Sequence, residues 1–185
     1  MRSILLPLLV SAVALSAPQS ILYAQDAPAT GGTEAAAAEA RVPAALSKMH
    51  SFNGTPSSDA RIYVYLQSAS WCGPCVQEMP EIAREYPKMK EHGIELILIG
   101  CDDTEEAALK FLNKYNASFP GIHYKEEGLK NLPGYTPARG VPDATFVDRE
   151  GNVIKRGHGA LVKNWRRVLN TGTPQQEQPA AAPRS

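Results

Sequence analysis

Trp71-Cys72-Gly73-Pro74-Cys75 sets two thiols three positions apart, directly after an apolar run and at the head of a segment with helical spacing. A helix that starts at the first cysteine turns unsatisfied backbone N–H groups and the positive end of its dipole toward that sulfur, which favours thiolate over thiol. Cys72 is therefore the expected nucleophile. Cys75, about one helical turn further on, can resolve a mixed disulfide on Cys72 within the same chain. Such a cycle needs no metal or organic cofactor, only a redox-active Cys72–Cys75 disulfide. Gly73 permits a sharp turn into the helix, and Pro74 suits a first-turn position where a missing N–H costs little. The same pair could supply half of a structural zinc site. The remaining ligands would come from Cys101, His50, His92, His123 and His158, none of which forms a second close pair.

Outward from this pentapeptide the pattern alternates. Arg61 to Leu66 is β-branched and aromatic, a buried strand that delivers the chain to the cysteines. Cys72 to Lys90 has helical spacing at Val76, Met79, Ile82, Ala83 and Tyr86, with a kink expected at Pro80 and a break at Pro87. Ile94 to Gly100 reads as a second buried strand, and a helix follows from Thr104 to Tyr115 with Thr104 or Asp103 as its N-cap. Phe119 to Arg139 is irregular and rich in Gly and Pro. Ala144 to Val147 and Asn152 to Arg156 form a hairpin, and Leu161 to Leu169 a last helix. Parallel crossovers followed by a hairpin give an α/β fold, a mixed central sheet with helices on both faces.

The flanks differ in composition. One basic residue, Arg2, precedes the apolar Ile4 to Ala17, so residues 1–24 read as a signal peptide with cleavage after Ala24 or near Ala27-Pro28-Ala29, an uncleaved anchor being the alternative. Residues 25–47 hold few large apolar side chains and read as a disordered linker, residues 48–170 as one domain, and residues 171–185 as a disordered tail. The expectation is a periplasmic or secreted protein without a lipid anchor, since no cysteine precedes Cys72. Export matters because those compartments favour disulfides. Among 185 residues nineteen are basic and nineteen acidic, and loss of residues 1–24 leaves a formal charge of minus one. Without a basic cluster, nucleic acid is not an expected partner and attraction to an anionic membrane is unsupported.

The pentapeptide together with Gly140-Val141-Pro142, about seventy residues later and just before a strand, resembles the thioredoxin-like superfamily. Cys75-Val76-Gln77-Glu78-Met79-Pro80 is most similar to its exported TlpA-type members. The resemblance covers most of Arg61 to Leu169 and implies a thioredoxin fold and thiol-disulfide exchange. It implies a cis bond between Val141 and Pro142 beside the disulfide, with the backbone of Val141 pairing with an extended substrate. Glu78 would be a partly buried carboxyl relaying protons for the cysteines; the buried aspartate that thioredoxin carries six positions before its first cysteine is replaced by Leu66. Trp71, Gly73 and Pro74 would line the substrate face, with Trp71 packed beside the disulfide to limit access to Cys75. Trp165 and Cys101 read as core residues, and His158 is the histidine most worth testing. The leading expectation is a monomeric reductase of protein disulfides, served by a membrane or soluble thiol redox partner. A dedicated cytochrome c maturation factor, a nucleoredoxin- or peroxidase-like enzyme and a non-catalytic peptide-binding module are the alternatives.

Overall fold

The computed structural model describes residues 41–172. In chain order the elements are α1 (Arg41–Leu46), β1 (Ile62–Ser68), α2 (Gly73–Glu91), β2 (Ile94–Gly100), α3 (Glu105–Lys114) and β3 (Gly121–His123). A 3-10 turn (Glu127–Asn131) leads to β4 (Asp143–Asp148), β5 (Val153–His158), α4 (Ala160–Lys163) and α5 (Trp165–Gly172). The strands form one sheet in the order β3-β2-β1-β4-β5. β1 lies parallel to β2 and antiparallel to β4. Flanked on both sides and covered on both faces, β1 and β2 bury nearly every residue, which is why they read as unbroken apolar runs.

The two parallel steps, β1 to β2 and β2 to β3, move in the same direction across the sheet. With the usual right-handed crossover, α2 and α3 must then cover the same face. They do: Met79, Ile82, Tyr86 and Met89 of α2 and Phe111 and Leu112 of α3 pack with Val64, Leu66, Leu96, Leu98 and Phe146 in one cluster, joined by Val162 and Trp165 from the last helices. The opposite face presents Tyr63, Tyr65, Ile97, Ile99 and Val147, covered by Val42 and Leu46 of α1 and by Leu129 and Leu132 around the 3-10 turn. The mixed sheet with helical cover on both faces is as the sequence predicts.

Register decides where the chemistry sits. Ser68 at the end of β1 is level with Gly100 at the end of β2, and Gln67 is level with Asp143 at the start of β4. The chain segments around Cys72, Cys101 and Pro142 therefore emerge at one edge of the sheet, where β1 has a parallel neighbour on one side and an antiparallel one on the other. This is the end of an α/β sheet at which ligands meet the protein.

Four expectations are corrected. Residues 41–46, assigned to the linker, form α1 and bury Val42 and Leu46, and the Val42 N–H donates to Arg149 O at 2.9 Å. Residues 25–40 of the linker, the signal segment and residues 173–185 of the tail lie outside the described residues. α2 runs unbroken through Pro80 and Pro87. An interior proline costs about 3 kcal/mol or more, but both rings are exposed, on the side where a freed carbonyl can be hydrated, and the buried stripe Cys75, Met79, Ile82, Tyr86, Met89 continues past them. The irregular Phe119–Arg139 stretch contains β3 and the 3-10 turn. The last helix divides at Asn164, whose side-chain amide donates to Ala160 O at 3.2 Å in competition with the backbone ladder.

α5 is tied to α2 through Glu85, which accepts from Lys88 Nζ at 2.7 Å, Trp165 Nε1 at 3.2 Å and Arg166 at 3.0 Å. The bond from Lys88, then that from Trp165, lowers the Glu85 carboxyl from its ordinary 4.5 to about 2. A depressed carboxyl stabilises the fold above the unfolded value and loses that contribution as pH falls from about 4.5 toward 2. Glu85→Gln is therefore expected to cost about 1 kcal/mol at pH 7, and the difference from wild type shrinks as pH drops through this window. Urea midpoints of both proteins at pH 7 and pH 3 measure it; a constant difference contradicts it.

Candidate active site

Cys72 is the N-cap of α2, with extended backbone at φ −88° and ψ 112°. The Cys75 N–H donates to Cys72 Sγ at 3.3 Å and the Val76 N–H to Cys72 O at 3.0 Å. The first turn thus directs one free donor, the Cys75 N–H, at the sulfur, as its position before a helix predicts. The two sulfurs are joined in a disulfide with Cα atoms 5.2 Å apart. Cys72 keeps 6% of its surface accessible and Cys75 1%, so an external disulfide meets Cys72 first. Pro74 sits in the first turn as expected. Gly73 has no positive φ, and among the described residues nothing lies within 4 Å of a Cβ placed there. The turn into the helix does not require glycine.

Opposite the sulfurs, the Val141–Pro142 peptide is cis. Val141 O lies 3.4 Å from Cys72 Sγ, Pro142 is buried and Val141 half-buried. The approach to this peptide is fixed by a residue that sequence reasoning passed over. Gln67, buried in β1, donates to Thr136 O at 3.0 Å and accepts from the Ala138 N–H at 2.8 Å. Arg156 adds bonds to Asp143 at 3.2 Å and to Thr136 O at 3.3 Å. A polar residue in an otherwise apolar strand was the available signal, since a buried amide must find partners.

A second unforeseen residue holds the other approach. Asp102, 2% exposed, accepts from the Ser70 N–H at 3.1 Å and from Ser70 Oγ at 2.5 Å. Its backbone carbonyl is 2.9 Å from His123 Nε2. Trp71 has 68% of its surface exposed, and its indole N–H donates to Cys101 O at 3.3 Å. Cys101 is half-buried, and burial, with the Asp102 charge as a smaller contribution, pushes its thiol up to about 11. It is a poor nucleophile at neutral pH. Trp165 is wholly buried, as expected.

Glu78, one turn beyond Cys75, leaves 12% of its side chain exposed. Its Oε2 is fully buried and has no hydrogen-bond partner among the described residues. That oxygen points at Gly159 and the Pro142 ring: a Cβ on Gly159 would lie 2.6 Å from Glu78 Oε2 and 2.6 Å from Pro142 Cβ. Glu78 is therefore partly buried against the cis-proline segment and the end of β5. His158 joins it, with Nδ1 3.5 Å from Glu78 Oε1. The other histidines lie elsewhere: His50 with Glu105, and His92 against Lys88 O and the Trp165 ring. Among the described residues no three His, Cys, Asp or Glu side chains gather so as to hold a metal ion.

A model of the AhpC/TSA family matches residues 37–156. The thiol-disulfide oxidoreductase ResA of Bacillus thuringiensis (strain Al Hakam) is 34% identical over 94 residues, 51% of this chain and 53% of the relative. The chain spans about half the length of the curated relatives it matches. Among solved structures, a thiol:disulfide interchange protein of the thioredoxin family from Chlorobium tepidum TLS superposes with a TM-score of 0.52 at 19% identity, over 62% of this chain and 81% of that one. A thioredoxin from Wuchereria bancrofti gives 0.50 at 20% identity, over 60% of this chain and 79% of that one. At these identities the structures show the fold alone.

Proposed function

The chain belongs to the AhpC/TSA family, and we propose that it is an exported thiol-disulfide oxidoreductase that reduces protein disulfides by cycling Cys72 and Cys75 between dithiol and disulfide. The observation that carries this reading is the placement of Cys72 Sγ at a helix N-terminus, 3.4 Å from the carbonyl that precedes the cis Pro142, with the more deeply buried Cys75 one turn behind it. Helix donors stabilise the attacking thiolate. The half-buried Val141 backbone offers an extended substrate segment an edge to pair with beside the sulfur, while the open surfaces of Gly73 and Pro74 admit the substrate's own disulfide.

In the reductive direction the Cys72 thiolate attacks a substrate disulfide, and one substrate thiolate leaves. Cys75 then attacks Cys72 Sγ and releases the second. The protein ends as the disulfide and a separate thiol redox partner returns it to the dithiol, so the cycle calls on no bound cofactor. The chain acts as a monomer on extended segments of partner proteins. Gly73-Pro74 between the cysteines favours the reducing end of the scale, about −270 mV for thioredoxin against about −120 mV for a strong oxidant, a gap of about 7 kcal/mol. Equilibration with glutathione buffers is expected to place the Cys72–Cys75 couple nearer the first value, and the reduced protein to precipitate insulin by cleaving its interchain disulfides. A couple near the oxidising end reverses the direction assigned here.

A further inference from the structure

Glu78 keeps 12% of its side chain exposed, and its carboxylate stands between a buried wall and the His158 imidazole. Its Oε2 is sealed between Gly159 and Pro142, whereas Oε1 faces His158 Nδ1 at 3.5 Å, and the imidazole is 59% exposed. The ring's orientation is held by the Ala160 N–H, which donates to Nδ1 at 3.3 Å. In the neutral ring Nδ1 is thus the acceptor and Nε2 carries the proton toward solvent. The neighbouring charges are already engaged: Asp143, opposite His158 in the β4–β5 register, is held by Arg156 at 3.2 Å, and Glu81 on α2 is paired with Lys163 of α4 at 3.3 Å. Glu78 is the carboxylate left facing the imidazole, and a buried carboxylate oxygen without a partner is the kind of group that handles protons.

We infer that His158 is a positioning residue that acts through Glu78, carrying protons between that carboxylate and solvent as the cysteine pair opens and closes. The inference rests on the reading that Glu78 serves Cys75. In the resolving step the Cys75 thiol gives its proton to Glu78, and the resulting thiolate attacks Cys72 Sγ. The Cys72–Cys75 bond forms, the bond from Cys72 to the substrate sulfur breaks, and the electron pair leaves on that sulfur, which takes a proton from water. The proton on Glu78 passes to His158 Nδ1, which releases the Ala160 N–H to take it, and the imidazolium gives a proton to solvent from Nε2. Contacts of this length tighten when a substrate closes the site.

The test is the single-turnover closure of the Cys72–Cys75 disulfide on a peptide disulfide, followed against pH in wild type, His158→Ala, His158→Gln and Glu78→Gln. Both His158 variants are expected to slow closure by about tenfold at neutral pH and to alter the pH profile. Free imidazole restores His158→Ala through the space left at the surface. It does not restore His158→Gln, where the amide fills that space and accepts from Ala160 without carrying a proton. In Glu78→Gln, adding His158→Ala costs nothing further. If Glu78→Gln slows closure while both His158 variants match wild type and imidazole does nothing, the role of His158 is overturned and that of Glu78 stands. If Glu78→Gln is also indistinguishable from wild type, Glu78 leaves the mechanism and this inference goes with it.

Discussion

Cys72→Ser reduces disulfide exchange by about a thousandfold or more, while Cys75→Ser retains the first attack and accumulates a protein that cannot release its substrate. The two thiols differ by position. Cys72 stands at the N-cap, receives the Cys75 N–H at 3.3 Å and is the more accessible sulfur, at 6% against 1%. A serine hydroxyl at 72 keeps the cap, so helix α2 survives, but it cannot take up or release a sulfur–sulfur bond. A serine at 75 leaves Cys72 with the same helix donors and removes only the group that displaces the substrate. Mixed disulfides should therefore collect on Cys72 of the Cys75→Ser protein, visible as adducts that reductant removes. Cys101 offers no substitute resolving thiol, because burial keeps it protonated at neutral pH. The reciprocal variant, Cys72→Ser, should trap little, and equal adduct yields on the two proteins would defeat the assignment. The trapped proteins would also identify the substrates.

What could be read in the sequence follows the physical range of each signal. β1, β2 and α3 were legible because each is held by a pattern contained in its own residues: a continuous apolar run, or an N-cap at Thr104 whose Oγ1 accepts the Ala107 N–H at 3.2 Å. The cysteine pair was legible from its own spacing, whereas the cis bond at Pro142 was expected only through the family resemblance, because an X-Pro bond taken alone favours trans. β3 was not, for it has three residues, too few for a period, and its pairing is completed by Phe52, whose ring occupies the space a side chain at Gly121 would fill. α1 was hidden for a related reason. Six residues do not form a helix alone, and this one exists because Val42 and Leu46 cover a sheet face that only the folded chain presents. Gln67 and Asp102 act across 71 and 32 positions of sequence, distances at which single-chain patterning says nothing about partners.

The same distance rule hides Gly159, where the second large effect is expected. Gly159→Ala should destabilise the fold by about 1–3 kcal/mol and at the same time disturb the site, because the methyl enters space held by two functional groups. It would lie 2.6 Å from Glu78 Oε2, 2.6 Å from Pro142 Cβ and 3.0 Å from Pro142 Cγ. These contacts are not equivalent. The Glu78 carboxylate ends a flexible side chain and can turn toward His158, whereas the Pro142 ring is rigid, buried and joined to the Val141 carbonyl beside Cys72. The Gly159 N–H also donates to Pro142 O at 3.2 Å, so the two backbones cannot separate without losing that bond. The cost should therefore fall mainly on the proline. Removing the carboxylate in Gly159→Ala/Glu78→Ala is expected to recover less than half of the lost stability, measured by urea unfolding, and to leave peptide-disulfide exchange impaired. Full recovery in the double variant would place the clash at Glu78 and show that the cis-proline segment yields more easily than its packing implies.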